Sequence, residues 1–265
     1  MRILITNDDG IDAPGLRVMH DIAVQLAGGD DQVWTVAPAF EQSGVAHCIS
    51  FTQPMMIVEQ AERRFAVSGS PADCVIAAVN DVMKDAPPDL ILSGVNRGNN
   101  SGENAAYSGT IGAAMEGALQ GIRSIALSQY YGPRNRDLDD KFDAATKHGL
   151  KTVKTLLDRG IWEGEDYRVF YNVNFPPVPA SEVLGMRVCG QGYRADGCFS
   201  VAPTKSPSGR RFLWIQGYGQ QTTTKSGTDT YYNLEGYTSI TPMRADLTAH
   251  DLLEPLKAID TPSDA

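Results

Sequence analysis

Two adjacent aspartates near the start of the chain are the residues best suited to chemistry. Asp8 and Asp9 follow the apolar residues 3–5, so they lie where a buried strand should end. Gly10 permits a turn that brings both carboxylates to one point, whereas on a continuing strand they would point to opposite faces. Two carboxylates that share a site do not both stay ionised cheaply unless a cation lies between them. The pair therefore indicates either a divalent-cation site or a plain Asp-Gly turn with one solvated acid.

Two further polar segments follow predicted strands. Residues 40–44 read FEQSG, and residues 93–100 read SGVNRGNN. In open α/β sheets, ligands bind outside the carboxyl ends of the strands. Ser43 and Asn96 would then add a hydroxyl and an amide oxygen to the two carboxylates, a ligand set that suits Mg²⁺ or Mn²⁺. Taken singly, each residue is more typical of a loop that bonds to its own backbone.

The sequence Ser108-Gly109-Thr110 begins a predicted helix of small residues. A helix N-terminus offers free N–H groups and a positive dipole end, which together bind phosphate. Gly109 would let an anion approach the backbone. A metal on one side and this helix on the other would form a phosphate site, but Ser108 is equally suited to a purely structural role as the helix N-cap.

The alternation of strand and helix patterns predicts an α/β fold with a Rossmann-like, mostly parallel sheet and helices on both faces. The predicted strands are 3–6, 32–36, 64–68, 89–93, 124–128 and 169–174, and the predicted helices are 14–26, 71–84, 111–120 and 138–158. Residues 45–59 predict extended structure, in the form of a hairpin.

The C-terminal third has a different composition, rich in β-branched and aromatic residues. We expect one domain over residues 1–265, with a core to about 185 and a C-terminal antiparallel β excursion over about 186–245. A short helix follows at about 246–260. The polar stretch 218–225 would be an exposed arm.

Bulk composition narrows the possible partners. The chain has 265 residues and a formal net charge of -9, which argues against a long nucleic-acid partner. It has no run of 18 apolar residues, which predicts no membrane partner, and no secretory signal pattern. The four cysteines are dispersed, as expected of reduced, mostly buried thiols in a cytoplasmic protein: Cys48, Cys74, Cys189 and Cys198.

Several common catalytic patterns are absent from the sequence. It contains no GxxxxGK[ST], no GxGxxG after the first strand, no GxSxG and no HExxH. These absences disfavour P-loop enzymes, dinucleotide-binding modules, α/β-hydrolases and zinc peptidases.

An ordered set of motifs resembles the SurE family, the stationary-phase survival proteins, which are metal-dependent nucleotide phosphatases. The motifs are ILITNDDGIDAPG, APAFEQSG, GSPADCV, LSGVNRGNN, YSGTIGAAMEG, NVNFP, GTD and GYTSITP, and the match extends to about residue 250. The resemblance implies a C-terminal extension that exchanges between subunits, giving a homodimer or homotetramer. It also implies hydrolysis of nucleoside 5′- and 3′-monophosphates with one divalent metal ion per subunit, and in some members of short polyphosphate.

The resemblance assigns site residues motif by motif. The implied metal ligands are Asp8, Asp9, Ser43 and Asn96, and the implied phosphate-binding residues are Asn96, Ser108, Gly109 and Thr110. The loop after Asn96 departs from the family pattern, because Asn104 stands where many relatives carry an acid.

The reaction expected of this site is hydrolysis by metal-activated water. Asp9, ahead of Asp8, would accept the water proton. Within the enzyme class, the alternative is Ser43 as a covalent nucleophile. Outside it, the alternative is a non-catalytic stress protein that binds nucleotides with the help of a metal.

Overall fold

The computed structural model describes residues 1–164, 166–194, 199–217 and 219–261. In these parts of the chain, a nine-stranded sheet has the order β3-β4-β2-β1-β5-β6-β7-β11-β8, and β9 and β10 form a separate pair. The strands are β1 Ile3–Thr6, β2 Val33–Pro38, β3 Ile57–Ala61, β4 Arg64–Val67, β5 Leu90–Arg97, β6 Arg123–Gln129, β7 Phe170–Phe175, β8 Met186–Val188, β9 Phe199–Lys205, β10 Arg211–Gly217 and β11 Thr238–Met243. The helices are α1 Pro14–Ala27, α2 Pro71–Ala77, α3 Gly109–Leu119, α4 Asp143–Arg159, α5 Asp229–Leu234 and α6 His250–Leu256.

The central strands form a doubly wound parallel sheet. Strands β4, β2, β1, β5, β6 and β7 are neighbours in that order and pair in parallel. The chain winds outward from β1 through β2, then returns to the other side of β1 at β5. The strand order reverses between β1 and β5, which is where doubly wound sheets bind ligands. This arrangement confirms the predicted fold class.

The two faces of the sheet carry separate hydrophobic cores because side chains alternate along each strand. Ile3 and Ile5 of β1 pack into the core that α1 and α4 cover. Leu4, between them, packs into the core on the side of α2 and α3. The turns that follow β1 and β5 are therefore anchored from both faces.

Four predicted boundaries are wrong. Residues 45–56 contain no strand, and the hairpin is instead formed by β3 and β4, which pair antiparallel. β5 continues past residue 93 to Arg97, with an irregular register against β6 between Ser93 and Asn96. α4 begins at Asp143, whereas the pattern placed its start at 138. α2 ends at Ala77 and a short π-helix follows it, where the pattern extended one α-helix to 84.

The C-terminal third only partly leaves the main sheet. β9 and β10 form the expected antiparallel excursion, whereas β8 and β11 return to the edge of the main sheet beside β7. α5 was not predicted. No helix in the described ranges is long and apolar enough to cross a membrane. Cys48 is exposed, Cys74 and Cys189 are buried, and Cys198 and Tyr218 lie outside the described residues.

Candidate active site

The Asp8-Asp9 pair lies in a tight turn at the carboxyl end of β1. Gly10 has φ 101°, a left-handed conformation that favours glycine, and its carbonyl accepts a 2.8 Å hydrogen bond from the side-chain amide of Asn7. Asp8 is only 5% exposed. The turn therefore holds one carboxylate inside the protein and leaves Asp9 at the surface of a cleft.

Three hydrogen bonds join this turn to the other predicted site segments. The backbone N–H of Gln42 donates to the Asp8 carbonyl at 2.7 Å. The backbone N–H of Arg97 donates to Asp9 Oδ2 at 2.9 Å, and Thr110 Oγ1 donates to Asp8 Oδ1 at 2.7 Å. The end of β1, the FEQSG segment, the end of β5 and the start of α3 are thus brought together.

Both aspartates are held in surroundings that disfavour their charge. Burial raises the pKa of Asp8 to about 6, against the opposing effect of the Thr110 hydroxyl and with a further rise from Asp9. Burial also raises the pKa of Asp9, although the backbone N–H and the charge of Arg97 act in the other direction. Arg97 Nε lies 3.9 Å from Asp9 Oδ1, and among the described residues no basic side chain pairs with Asp8.

The donor set at this turn fits a hard divalent cation. The Asn7 Oδ1 and Ser93 Oγ atoms are buried without a hydrogen-bond partner. The described ranges hold no cluster of three His, Cys, Asp or Glu side chains. A cation here would therefore be bound by two carboxylates and neutral oxygens, the chemistry of Mg²⁺ or Mn²⁺ sites.

The two predicted neutral ligands differ in their surroundings. Asn96, near the end of β5, donates its amide nitrogen to the Gly98 carbonyl at 2.9 Å, which leaves the amide oxygen as the end that could bind a cation. Ser43 is exposed and donates to the Glu41 carboxylate at 2.7 Å. That hydrogen bond uses the hydroxyl hydrogen of Ser43 and leaves the lone pairs of Oγ available to a cation.

The start of α3 has a structural role as well as the predicted one. Ser108 is the N-cap and accepts a 3.0 Å hydrogen bond from the Ile111 N–H. Thr110 is fully buried and directs its hydroxyl at Asp8. A Cβ on Gly109 would lie 3.0 Å from the Cβ of Asp8, so glycine at this position favours the close approach of α3 to the acidic turn.

A buried ionic network lies beside the site, and no motif in the sequence predicts it. Arg194, 4% exposed, pairs with Glu103 at 2.9 Å. Asp229 accepts hydrogen bonds from the backbone N–H groups of Gly102, at 2.9 Å, and Gly192, at 2.8 Å. These partners are separated by 37 to 127 residues, so no local pattern could have revealed them. Arg97 was visible, since a cation inside the segment 93–100 is a natural partner for paired acids.

Comparisons with known proteins place this chain among close relatives. A family model described as Survival protein SurE matches residues 3–197. The 5′-nucleotidase SurE of Roseobacter denitrificans is 64% identical over 98% of this chain and 100% of its own length. The 5′-nucleotidase SurE of Ruegeria pomeroyi is 64% identical over 97% and 99%. A crystal structure of the SurE protein from Aquifex aeolicus superposes with a TM-score of 0.79 at 34% identity and covers 98% of this chain and 100% of that one.

Proposed function

Because this chain belongs to the SurE family, we propose that it is a 5′-nucleotidase, a phosphatase that hydrolyses nucleoside monophosphates to nucleoside and phosphate with a divalent metal ion. The observation that carries this proposal is the Asp8-Asp9 turn facing the N-terminus of α3, linked to it by the Thr110 hydrogen bond. The curated relatives, which are 64% identical over nearly the whole chain, support the same reaction. Nucleoside 3′-monophosphates and short polyphosphate would be further substrates.

In this proposal, Asp8, Asp9, Ser43 and Asn96 hold one Mg²⁺ or Mn²⁺ ion per subunit. Bound there, the ion would offset the two carboxylate charges, polarise the phosphate ester and lower the pKa of water. Burial raises the pKa of Asp8 because the ionised carboxylate is destabilised there when no cation is bound.

The chain's own groups then divide the remaining work. The Ile111 N–H is taken by the Ser108 cap, so the N–H groups of Gly109 and Thr110, which point along the helix dipole, would bind the phosphate oxygens. Asp9 lines the cleft, whereas Asp8 is buried and held by Thr110. Asp9 is therefore the better-placed acceptor for the proton of the attacking water.

We further propose that the enzyme works in the cytoplasm as a homodimer or homotetramer. The buried, unpaired thiols of Cys74 and Cys189 suit a reducing compartment. The exposed apolar side chains of β9 and β10 suit contact with another subunit.

The decisive experiment measures phosphate release from a panel of nucleoside 5′- and 3′-monophosphates and short polyphosphate, with Mg²⁺ or Mn²⁺ and with chelator. We expect chelator-sensitive release, reduced more than about 100-fold in Asp8→Asn, since even outer partners of metal ligands are worth roughly 10–100-fold. Metal-dependent binding of nucleotides without phosphate release would instead indicate the non-catalytic alternative. Trapping of a phosphoserine at Ser43 would replace water attack with covalent catalysis.

A further inference from the structure

A cleft of about 620 Å³ opens beside Asp9. Its floor is formed by the start of α1, and its opposite wall by segment 131–142, which connects β6 to α4. The volume falls within the range of small-molecule sites, which is roughly 300–1,000 Å³. Because Asp9 and Arg97 both line this cleft, whatever occupies it lies next to the acidic turn.

One wall of the cleft is a fixed aromatic surface. The ring of Tyr131 meets Phe142 edge to face, with centroids 5.9 Å apart and an interplanar angle of 66°. Phe142 is itself only 6% exposed, and a Cβ on Gly15 would lie 3.0 Å from its ring. The Tyr131 ring is therefore supported from behind by a buried neighbour, and it stays partly exposed towards the cleft. A planar, partly exposed ring held in this way is suited to stacking on another planar group.

The charges of the cleft do not favour a polyanion. Apart from Asp9, which the proposed metal ion would neutralise, its lining has equal numbers of carboxylates and cations: Glu41, Asp139 and Asp140 with Arg97, Arg136 and Lys141. A groove for a chain of phosphates would need an excess of Lys and Arg. An uncharged group with a planar ring fits this cleft better than a second phosphate does.

We propose that this cleft holds the nucleoside part of the substrate, with its base stacked on Tyr131 while the phosphate lies between the acidic turn and α3. The inference rests on the proposed nucleotidase function and adds the part of the substrate that the metal and phosphate residues leave unassigned. Every base has a π face, so stacking on Tyr131 would favour nucleotides as a class over small phosphate esters without choosing one base.

The test compares two substrates in variants of one residue. We would measure kcat/KM for adenosine 5′-monophosphate and for glycerol 2-phosphate, which has no ring. In Tyr131→Leu the ratio of the two values should fall roughly 5- to 100-fold, as expected for the loss of one base–aromatic stack. Tyr131→Phe and Tyr131→Trp, which keep a ring, should hold the ratio within about threefold. Leucine retains apolar packing against Phe142, and a thermal melt checks that each variant is folded.

A binding measurement separates this inference from the function on which it rests. Titration calorimetry gives the Kd of adenosine 5′-monophosphate with Mg²⁺ for the parent protein and Tyr131→Leu, independently of turnover. Weaker binding in Tyr131→Leu without phosphate release by either protein would uphold the cleft and overturn the nucleotidase. Normal phosphate release with an unchanged substrate ratio and an unchanged Kd would overturn the cleft and leave the nucleotidase standing.

Discussion

At the scale of single residues, the protein buries the carboxyl group of Asp8 with no basic side chain in the described part of the chain to balance its charge. Asp8 is buried, receives the Thr110 hydroxyl and faces the charge of Asp9. In the absence of a cation, ionising it destabilises the fold, because its pKa when folded, about 6, exceeds the ordinary value of 3.8. The burial of Asp8 beside Asp9 lowers the stability of the protein without a metal ion, and for the same reason it favours binding of a divalent cation.

The first prediction concerns the pH dependence of stability in chelator. A raised carboxyl pKa gives stability that is present below about pH 4 and is lost as the pH rises through about 6, a change of about 3 kcal/mol. Asp8→Asn carries no charge and should avoid this loss. Urea unfolding should therefore show a higher free energy of unfolding than in the parent at pH 7.5, and a smaller difference between the two proteins at pH 4. The exposed Asp21→Asn serves as control. Equal differences at both pH values would contradict the assignment.

The second prediction concerns Thr110, whose hydroxyl donates to Asp8 at 2.7 Å. Thr110→Val keeps the shape but removes the donor, so the pKa of Asp8 should rise further and the carboxylate should lose its orientation. We expect Mn²⁺ affinity, measured by calorimetry, to fall about 10–100-fold, as for other partners of metal ligands. Thr110→Ser keeps the hydroxyl and should stay near the parent. If Val and Ser variants bind Mn²⁺ equally, Thr110 does not orient the site.

At the scale of elements, the site depends on how closely α1 packs against β5. A Cβ on Gly15 would lie 1.9 Å from the Val95 carbonyl oxygen, so only glycine permits this contact. Val95 immediately precedes Asn96. The position of Asn96, a proposed metal ligand, therefore depends on how closely α1 packs against β5.

The third prediction is that Gly15→Ala destabilises the protein by about 1–3 kcal/mol or more, since the methyl group meets rigid backbone. It should also lower kcat, because a shift of Val95 that relieves the clash would displace the adjacent Asn96. Gly149→Ala in α4 is the matched control, because its methyl group would crowd the side chain of Ile22 and no backbone atom of the described residues. Denaturation midpoints and kcat of both variants check this, and a harmless Gly15→Ala would disprove it.

The elements that the sequence predicted well are those with strong local patterns. β1, α1 and β2 have apolar runs or helical periodicity and clear ends, such as Pro14 at the start of α1 and Gly28 at its end. β5 was cut short because Gly94 and Asn96 are poor strand formers, and only its pairing with β6 carries it onward. α5 has six residues, too few to show a period. The convergence of the site segments was predictable from the sheet, whereas the Arg194–Glu103 pair was not.

At the scale of the whole molecule, β9 and β10 form a projection whose apolar side chains are mostly exposed, although Phe199 packs edge to face against Tyr107. Trp214 is 68% exposed and Ile215 is 75% exposed. Two strands alone bury little, and such a ribbon is marginal in water by itself. The exposed side chains therefore suit contact with another subunit, in keeping with the proposed homo-oligomer.

The fourth prediction is that replacing Trp214 and Ile215 together by serine weakens the oligomer. Light scattering after size exclusion should show a dimer or tetramer for the parent and a smaller species for the variant at micromolar concentration. Phe51→Ser, at a residue 86% exposed and outside β9 and β10, is the control and should leave the mass unchanged. A monomeric parent would remove the basis of the oligomer proposal.

The Arg194–Glu103 pair indicates whether the part of the chain that carries the site could be active without the C-terminal third. All the proposed metal-binding and phosphate-binding residues precede residue 111, which suggests that a shortened gene could encode the enzyme. Residues 97–107 join Asn96 to Ser108. Near the middle of this segment, Glu103 forms an ion pair with Arg194, and the Gly102 N–H donates to Asp229. We expect a chain ending at residue 185 to lose phosphatase activity. A chain ending at residue 245 keeps both Arg194 and Asp229, and we expect it to retain the activity. Gene duplication or fusion would then have to carry the C-terminal third together with the site, because Arg194 and Asp229 hold the segment that joins two of its parts.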